Sequence, residues 1–145
     1  MTAVSRSALL PYSAAEVFQL VNDVARYRDF LPFCIASEVL EQSETEMMAR
    51  IAFTRMGLSQ SLVTRNRLQP ASRIDIEFVS GPFDKLRGQW EFQVLSEAAC
   101  KVVFTVDFQV QAKFLQFVAQ NAINQAAGQA VDAFQRRAVQ VYGKR

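Results

Sequence analysis

Strict alternation of apolar and polar residues through the middle of the chain constrains its fold more than any other feature. In residues 102–110, Val, Phe, Val, Phe and Val occupy every second position. The same two-residue period recurs in three other segments: 47–54, 73–78 and 90–94. Successive side chains of a strand point to opposite faces, so these segments predict an antiparallel sheet with one apolar and one solvated face. With residues 3–10, at a sheet edge, and residues 35–41, about seven strands are expected.

The period lengthens to three and four residues in the last part of the chain. Residues 113–142 predict one helix of roughly 40 Å, long enough to cross the whole sheet. Upstream, Ser13 and Glu16 have the spacing of a capping box that begins a short helix, and Asp23 is placed to cap a second one. No strand alternates with a crossover helix, which favours an α+β fold. We therefore predict a single domain over residues 1–145, in which a curved antiparallel sheet wraps around the C-terminal helix, with two short helices after the first strand.

The absence of histidine is the strongest negative feature of the sequence. None of the 145 residues is His, which removes Ser-His-Asp and Cys-His catalysis and His-ligated metals. Nucleotide-binding glycine motifs and paired-cysteine metal spacings are also missing, and Cys34 and Cys100 are expected to be buried free thiols. Two candidate acids, Asp75 and Glu91, fall on the solvated sheet face by their parity. We expect no enzyme activity, no metal site and no required cofactor.

Charge and hydropathy favour a protein of the cytoplasm. The net charge of +2 is weak evidence for a polyanion partner, and we expect no DNA partner. The N-terminus lacks the layout of a secretory signal, and no apolar run approaches the roughly 18 residues of a membrane span. We therefore expect a cytoplasmic protein without stable membrane insertion.

The middle of the C-terminal helix is unusually small, with Ala122, Ala126, Ala127, Gly128 and Ala130. Large strand residues opposite this stretch have two interpretations. Large and small side chains can simply interlock and bring helix and sheet into close contact. Alternatively, they can enclose a ligand cavity of roughly 300–1,000 Å³.

Two apolar loops favour the cavity. Residues 30–33 read Phe-Leu-Pro-Phe and residues 81–83 read Gly-Pro-Phe. Exposed loop aromatics are unfavourable in a purely structural protein but useful as a lid over an apolar pocket. Fourteen residues are predicted to bind the ligand: Phe30, Leu31, Phe33, Phe53, Leu62, Phe78, Phe83, Trp90, Phe92, Phe104, Phe108, Phe117, Asn121 and Ala126.

Polar side chains suited to orienting a head group are rarer. Besides Asn121, the residues Gln60, Thr64 and Asn66 share one strand face. Most such residues in proteins serve as surface or capping groups, which is the alternative interpretation here.

Arginine is concentrated in residues 50–73, a stretch that contains no acid. The predicted rRNA contacts are Arg50, Arg65, Arg67 and Arg73. Arg65 and Arg67 have the same parity, so their side chains should emerge from one face of the sheet. A run of like charges is most often a solvated surface, and that interpretation stays open.

Four segments, in the same order and over nearly the whole chain, resemble a known family. They are Val21–Asp23 with Tyr27 and 30–34 (FLPFC), Gln60–Asn66 (QSLVTRN), Gly81–Phe83 with Leu86, Gly88 and 90–92 (WEF), and Val131–Phe134 with Arg137, Ala138 and 141–143 (VYG). Together they resemble the coenzyme Q-binding branch of the START-like (polyketide cyclase/dehydrase) superfamily, which includes the RatA-like ribosome association toxins.

The resemblance implies a helix-grip fold (START-like or Bet v-like), in agreement with the residue pattern, and two different functions. The first is non-catalytic binding of ubiquinone or a related polyprenyl lipid between sheet and helix, in support of cellular respiration. The alternative is a toxin of a type II toxin–antitoxin system that binds the large ribosomal subunit and blocks subunit association. The apolar loops and the small middle of the helix favour the first function.

Overall fold

The alternating segments form strands that pair into one antiparallel sheet. The computed structural model describes residues 2–55, 58–110 and 113–145. The strands within these residues are β1 (Thr2–Leu10), β2 (Cys34–Gln42), β3 (Glu46–Arg55), β4 (Leu58–Gln69), β5 (Arg73–Ser80), β6 (Lys85–Ser96) and β7 (Ala99–Gln109). Their spatial order is β1-β7-β6-β5-β4-β3-β2. The predicted sheet of about seven strands, with the first strand at an edge, is confirmed.

Irregular pairing accompanies the curvature of this sheet. The register shifts between Cys34 and Ala36, between Val63 and Thr64, and between Val94 and Ser96. A bulge of this kind bends its strand and increases the local twist. The sheet therefore closes around the long helix, as predicted.

The first short helix, α1 (Ala14–Asn22), begins at the predicted capping box. The Ser13 hydroxyl accepts a hydrogen bond from the Glu16 backbone N–H at 3.1 Å, and the Glu16 carboxylate accepts one from the Ser13 N–H at 3.0 Å. Val17 and Val21 on this helix are almost completely buried. One face of α1 therefore belongs to the hydrophobic core.

The second short helix differs from the expectation. A 3₁₀ turn (Val24–Arg26) precedes a single-turn helix, α2 (Tyr27–Phe30). The predicted cap by Asp23 is wrong, because its side chain makes no capping hydrogen bond. Its backbone angles, φ −84° and ψ 64°, lie outside the extended region that an N-cap residue normally adopts.

The long helix, α3 (Lys113–Tyr142), has the predicted bounds and is held near both ends. Near its start, the Gln116 side chain accepts a hydrogen bond from the Val110 N–H at 2.8 Å and donates one to the Phe108 carbonyl at 3.1 Å. Beyond its end, the Tyr12 hydroxyl donates to the Gly143 carbonyl at 2.7 Å. These hydrogen bonds anchor α3 near both ends and so fix the position of the small residues in its middle relative to the sheet.

Candidate functional site

A cavity of about 260 Å³ lies between the inner face of the sheet and α3. Its volume is slightly below the 300–1,000 Å³ expected for ligand pockets. Strands β3 to β7 form one wall, α3 forms the opposite wall, and residues from α1, α2 and the two apolar loops complete it. Helix and sheet are therefore not in full contact, which decides between the two packing interpretations.

The small residues of α3 account for the space. Ala122, Ala126, Ala127 and Ala130 all line the cavity from the helix side. Across from them, Trp90 stacks on Phe104 with ring centroids 4.4 Å apart. Because alanine reaches only one carbon from the helix backbone, these positions leave room that larger side chains would fill.

Eight of the fourteen predicted ligand-binding residues line this cavity. They are Leu31, Phe33, Phe53, Leu62, Phe83, Trp90, Phe104 and Ala126. Both apolar loops contribute, since Leu31 and Phe33 come from the first and Phe83 from the second. The loops therefore border the cavity, where the lid hypothesis had placed them.

Three of the other aromatics pack in the core instead. Phe92 is buried edge-on against Phe18, at 5.5 Å between ring centroids. Phe108 is completely buried and contacts Phe83, at 6.2 Å. Phe30 packs against Phe134 at 5.3 Å. None of the three lines the cavity, because their positions depend on contacts between distant residues that the two-residue period alone does not reveal.

The remaining predicted residues have other positions. Phe78 is half-buried on β5 but does not line the cavity. Asn121 is exposed on α3, outside the cavity wall. The backbone of Phe117 belongs to α3, while its side chain lies outside the described residues.

Sequence reasoning missed part of the wall. Ile74 and Ile76 line the cavity from β5. They could have been predicted, because their alternation with polar residues assigns them to the apolar face of the sheet. Val21 and Tyr27 reach it from α1 and α2, and no sequence signal distinguishes them from ordinary core residues.

Two polar residues in the wall form a buried pair on β4. Thr64 and Asn66 are 5% and 8% exposed, and both line the cavity. The Thr64 hydroxyl donates a hydrogen bond to the Asn66 side-chain oxygen at 3.0 Å. Of the polar candidates, Gln60 is exposed and does not line the wall.

The described cavity wall carries no Asp, Glu, Lys, Arg or Cys side chain. Its one phenol, Tyr27, donates its hydroxyl hydrogen to the Val21 carbonyl oxygen. Burial raises the pKa of Tyr27 far above its ordinary value, so this group stays neutral. The wall is therefore suited to holding an uncharged, mainly apolar molecule.

The outer face of the sheet carries the predicted arginines. Arg50, Arg65, Arg67 and Arg73 are all exposed, and Arg65 alternates with the buried Thr64 and Asn66. The predicted shared orientation of Arg65 and Arg67 is confirmed by this alternation.

Acids lie next to three of these arginines, two of them on a neighbouring strand and the third on the same strand, β5. Arg67 pairs with Glu77 at 3.0 Å and Arg73 with Asp75 at 2.8 Å. Arg50 pairs with Glu38. The outer face is therefore less positive than the linear sequence suggested, because strand pairing places β2 and β5 acids beside β3 and β4 arginines.

Arg65 is the exception. Among the described residues it has no ion-pair partner, although Glu77 is its strand neighbour across β4 and β5, because Glu77 bonds to Arg67 instead. Exposed ion pairs contribute only about 0.2–1 kcal/mol each. Replacing the acidic partner of such an arginine by a phosphate group therefore costs little free energy.

Other kinds of site find no support in the described part of the chain. Within it, no three His, Cys, Asp or Glu side chains are grouped closely enough to hold a metal ion. Cys34 and Cys100 are buried and unpaired, as predicted, and burial raises the pKa of both thiols. None of the described helices combines the length and apolar character needed to cross a membrane.

Comparison with known proteins identifies the family. Residues 10–135 match the family model described as polyketide cyclase / dehydrase and lipid transport. The chain is 46% identical over 144 residues to the ribosome association toxin RatA of Vibrio cholerae, covering 99% of this chain and 100% of that protein. It is 40% identical over 145 residues to RatA of Escherichia coli K12, covering 100% and 92%.

More distant similarities are to a mitochondrial protein and to a solved structure that shares the fold. The mitochondrial coenzyme Q-binding protein COQ10 homolog B of Xenopus laevis is 25% identical over 144 residues, covering 97% of this chain and 59% of that protein. The Zhui aromatase/cyclase of Streptomyces sp. R1128 superimposes with a TM-score of 0.89 at 19% identity, covering 99% of each chain. The chain belongs to the polyketide cyclase/dehydrase and lipid transport family, in the branch that contains the RatA proteins.

Proposed function

We propose that this protein is a ribosome association toxin of the RatA type, which binds the large ribosomal subunit and blocks its association with the small one. The observation that carries the proposal is identity of 46% and 40% to two proteins of that name, over 99–100% of the chain. This reverses the order in which the sequence favoured the two functions. The COQ10 homologue, at 25% identity, is a weaker guide than the RatA proteins.

The outer sheet face is the part of the molecule best suited to meet rRNA. Arg50 and Arg65 extend into solvent from adjacent strands, and Arg65 has no ion-pair partner among the described residues. Guanidinium groups bind phosphate oxygens through paired N–H donors. Binding of this kind weakens steeply as salt is added.

Sucrose-gradient profiles of a bacterial extract test the proposal. Addition of the purified protein should lower the fraction of assembled ribosomes and raise the free subunits. The double substitution of Arg50 and Arg65 by Glu should weaken this effect. As a control, Arg136→Glu reverses one charge at an exposed position on α3, away from the sheet face, and should have little effect. Assembled ribosomes that stay unchanged at high protein dose would contradict the proposal.

A second function is favoured by the cavity. We propose that it holds an uncharged apolar molecule, with ubiquinone or a related polyprenyl lipid as the first candidate. Transfer of such a molecule from water contributes about 25 cal/mol per Å² of apolar surface buried. The absence of charged side chains from the described wall supports a binding role without catalysis.

Extraction of the purified protein with organic solvent, followed by mass spectrometry, tests this second function. A quinone or lipid recovered in a stoichiometric amount would support it. Trp90 is the chain's only tryptophan and lies in the cavity wall, so a short-chain benzoquinone that binds there should quench its fluorescence. A solvent extract without ligand, together with unquenched fluorescence, would argue against it.

A further inference from the structure

The pair on β4 supplies buried polar groups to a mainly apolar cavity wall, whereas Thr54 and Gln129, which also line it, are exposed residues. Asn66 faces α3 from the sheet, between Met47 of β3 and Ile76 of β5. Its side chain is more than nine-tenths buried and lines the cavity. A side-chain amide buried in such surroundings is costly unless its polar atoms are hydrogen-bonded.

Thr64 fixes the direction in which this amide points. Its hydroxyl donates to the Asn66 side-chain oxygen at 3.0 Å, so the oxygen is occupied and the nitrogen lies on the other side of the group. Among the described residues, no acceptor receives the two N–H groups of that nitrogen. Asn66 therefore offers hydrogen-bond donors to the cavity.

We infer that Asn66 is the specificity-determining residue of the cavity, and that it selects an uncharged apolar molecule carrying a carbonyl or similar neutral oxygen acceptor. The inference rests on the proposed ligand-binding function and adds the chemical feature that the ligand must have. A carboxylate is disfavoured, because no cationic side chain lines the described wall to balance its charge. A pure hydrocarbon would leave the amide donors without a partner.

A pair of probes that differ in one group tests this inference. The probes 2-acetonaphthone and 2-ethylnaphthalene have similar shapes, but only the ketone has a hydrogen-bond acceptor. Their affinities are measured by displacement of the neutral fluorophore N-phenyl-1-naphthylamine from the full-length protein. The ratio of the two affinities is then compared between the wild type and Asn66→Leu, which removes the donor and nearly preserves the volume.

Removal of the donor should lower the ketone-to-hydrocarbon affinity ratio about three- to tenfold, the range expected for one hydrogen bond. Asn121→Leu, the same substitution at an exposed position of α3 outside the cavity wall, should leave the ratio unchanged. A ratio that is the same in the wild type and Asn66→Leu would overturn the inference while leaving the ligand-binding function standing. Failure of both probes to displace the fluorophore from the wild type would overturn both.

A second measurement avoids dependence on a folded variant. In a ¹⁵N-labelled wild-type protein, the side-chain N–H resonances of Asn66 should shift on addition of the ketone, and much less on addition of the hydrocarbon. Equal shifts with the two probes would show that the amide does not distinguish them, and the inference would fail.

Discussion

Filling the cavity from the helix side is the most direct test of the site. Ala126 lies in the middle of α3 and lines the cavity. Replacement by Leu places three additional carbons in the space between α3 and the sheet. We expect Ala126→Leu to stabilise the ligand-free protein and to weaken binding of apolar ligands at the same time.

The size of the effect follows from the cavity volume. At about 24 cal/mol per Å³, a cavity of 260 Å³ corresponds to about 6 kcal/mol when nothing fills it. Three carbons at about 0.8 kcal/mol each recover at most about 2.4 kcal/mol. Strain in fitting the new side chain reduces the gain to about 1–2 kcal/mol. For a chain of this length, the melting temperature should rise by about 3–8 °C.

Calorimetry and fluorophore displacement provide the two measurements, and Asn121→Leu provides the matched control. Asn121 is exposed on the same helix, so Leu at this position should change the melting temperature little and leave affinity intact. For Ala126→Leu, affinity should fall about tenfold or more. A melting temperature that falls, together with unchanged affinity, would refute the cavity as described.

Three further substitutions test how the cavity and the ends of the fold are built. Gly88→Ala should be tolerated while apolar ligands bind less tightly, because its new Cβ would lie 3.2 Å from the Ile76 Cδ1 and push that side chain into the cavity; calorimetry and fluorophore displacement measure both effects. Gly81→Ala should destabilise the protein by about 1–3 kcal/mol, since its φ is +151° and a backbone carbonyl oxygen would lie 3.2 Å from the new carbon; urea unfolding measures this loss. The hydrogen bond from Arg145 lowers the pKa of Glu16 to about 2, so the stability contributed by its charge is present above its ordinary pKa near 4.5 and is lost as the pH falls towards 2. The wild type should therefore lose its advantage over Glu16→Gln in melting temperature across that range, and a constant difference would contradict this assignment.

Local signals predicted the elements of this fold well. The end of α3 was predicted from Gly143. In the structure this glycine has a positive φ of +85°, and its N–H donates to the Val139 carbonyl at 2.9 Å. The start of α1 was found from Ser13 and Glu16, whose hydrogen bonds join residues three positions apart. Both signals depend on neighbouring residues, so a single sequence contains them. The cap assigned to Asp23 failed because residue type alone does not fix backbone angles.

The cavity wall could be predicted only in part, because it depends on pairing between distant segments. Trp90 and Phe92 occupy the same face of β6, yet only Trp90 lines the cavity, while Phe92 packs against Phe18 of α1 in the core. The arginines show the same limit. Arg67 has no acid within several residues along the chain, but the β4–β5 register brings Glu77 within 3.0 Å of it. Sequence period assigns a residue to a face, while the contacts on that face depend on the register.

Strand β4 connects the two proposed functions through consecutive residues. Arg65 points outwards and Asn66 points into the cavity, so the strand carries the groups proposed to contact the ribosome and the ligand on opposite sides. Substitutions without a shared partner are normally additive to within about 0.5 kcal/mol. If the two sites are independent, Arg65→Glu should weaken ribosome association to the same extent in the wild type and in Asn66→Leu, with or without a ketone ligand. A coupling energy between the two substitutions above about 0.5 kcal/mol, seen only with ligand bound, would contradict independence. It would mean that a ligand in the cavity alters the outer face through the β4 backbone. Ribosome association would then respond to the ligand.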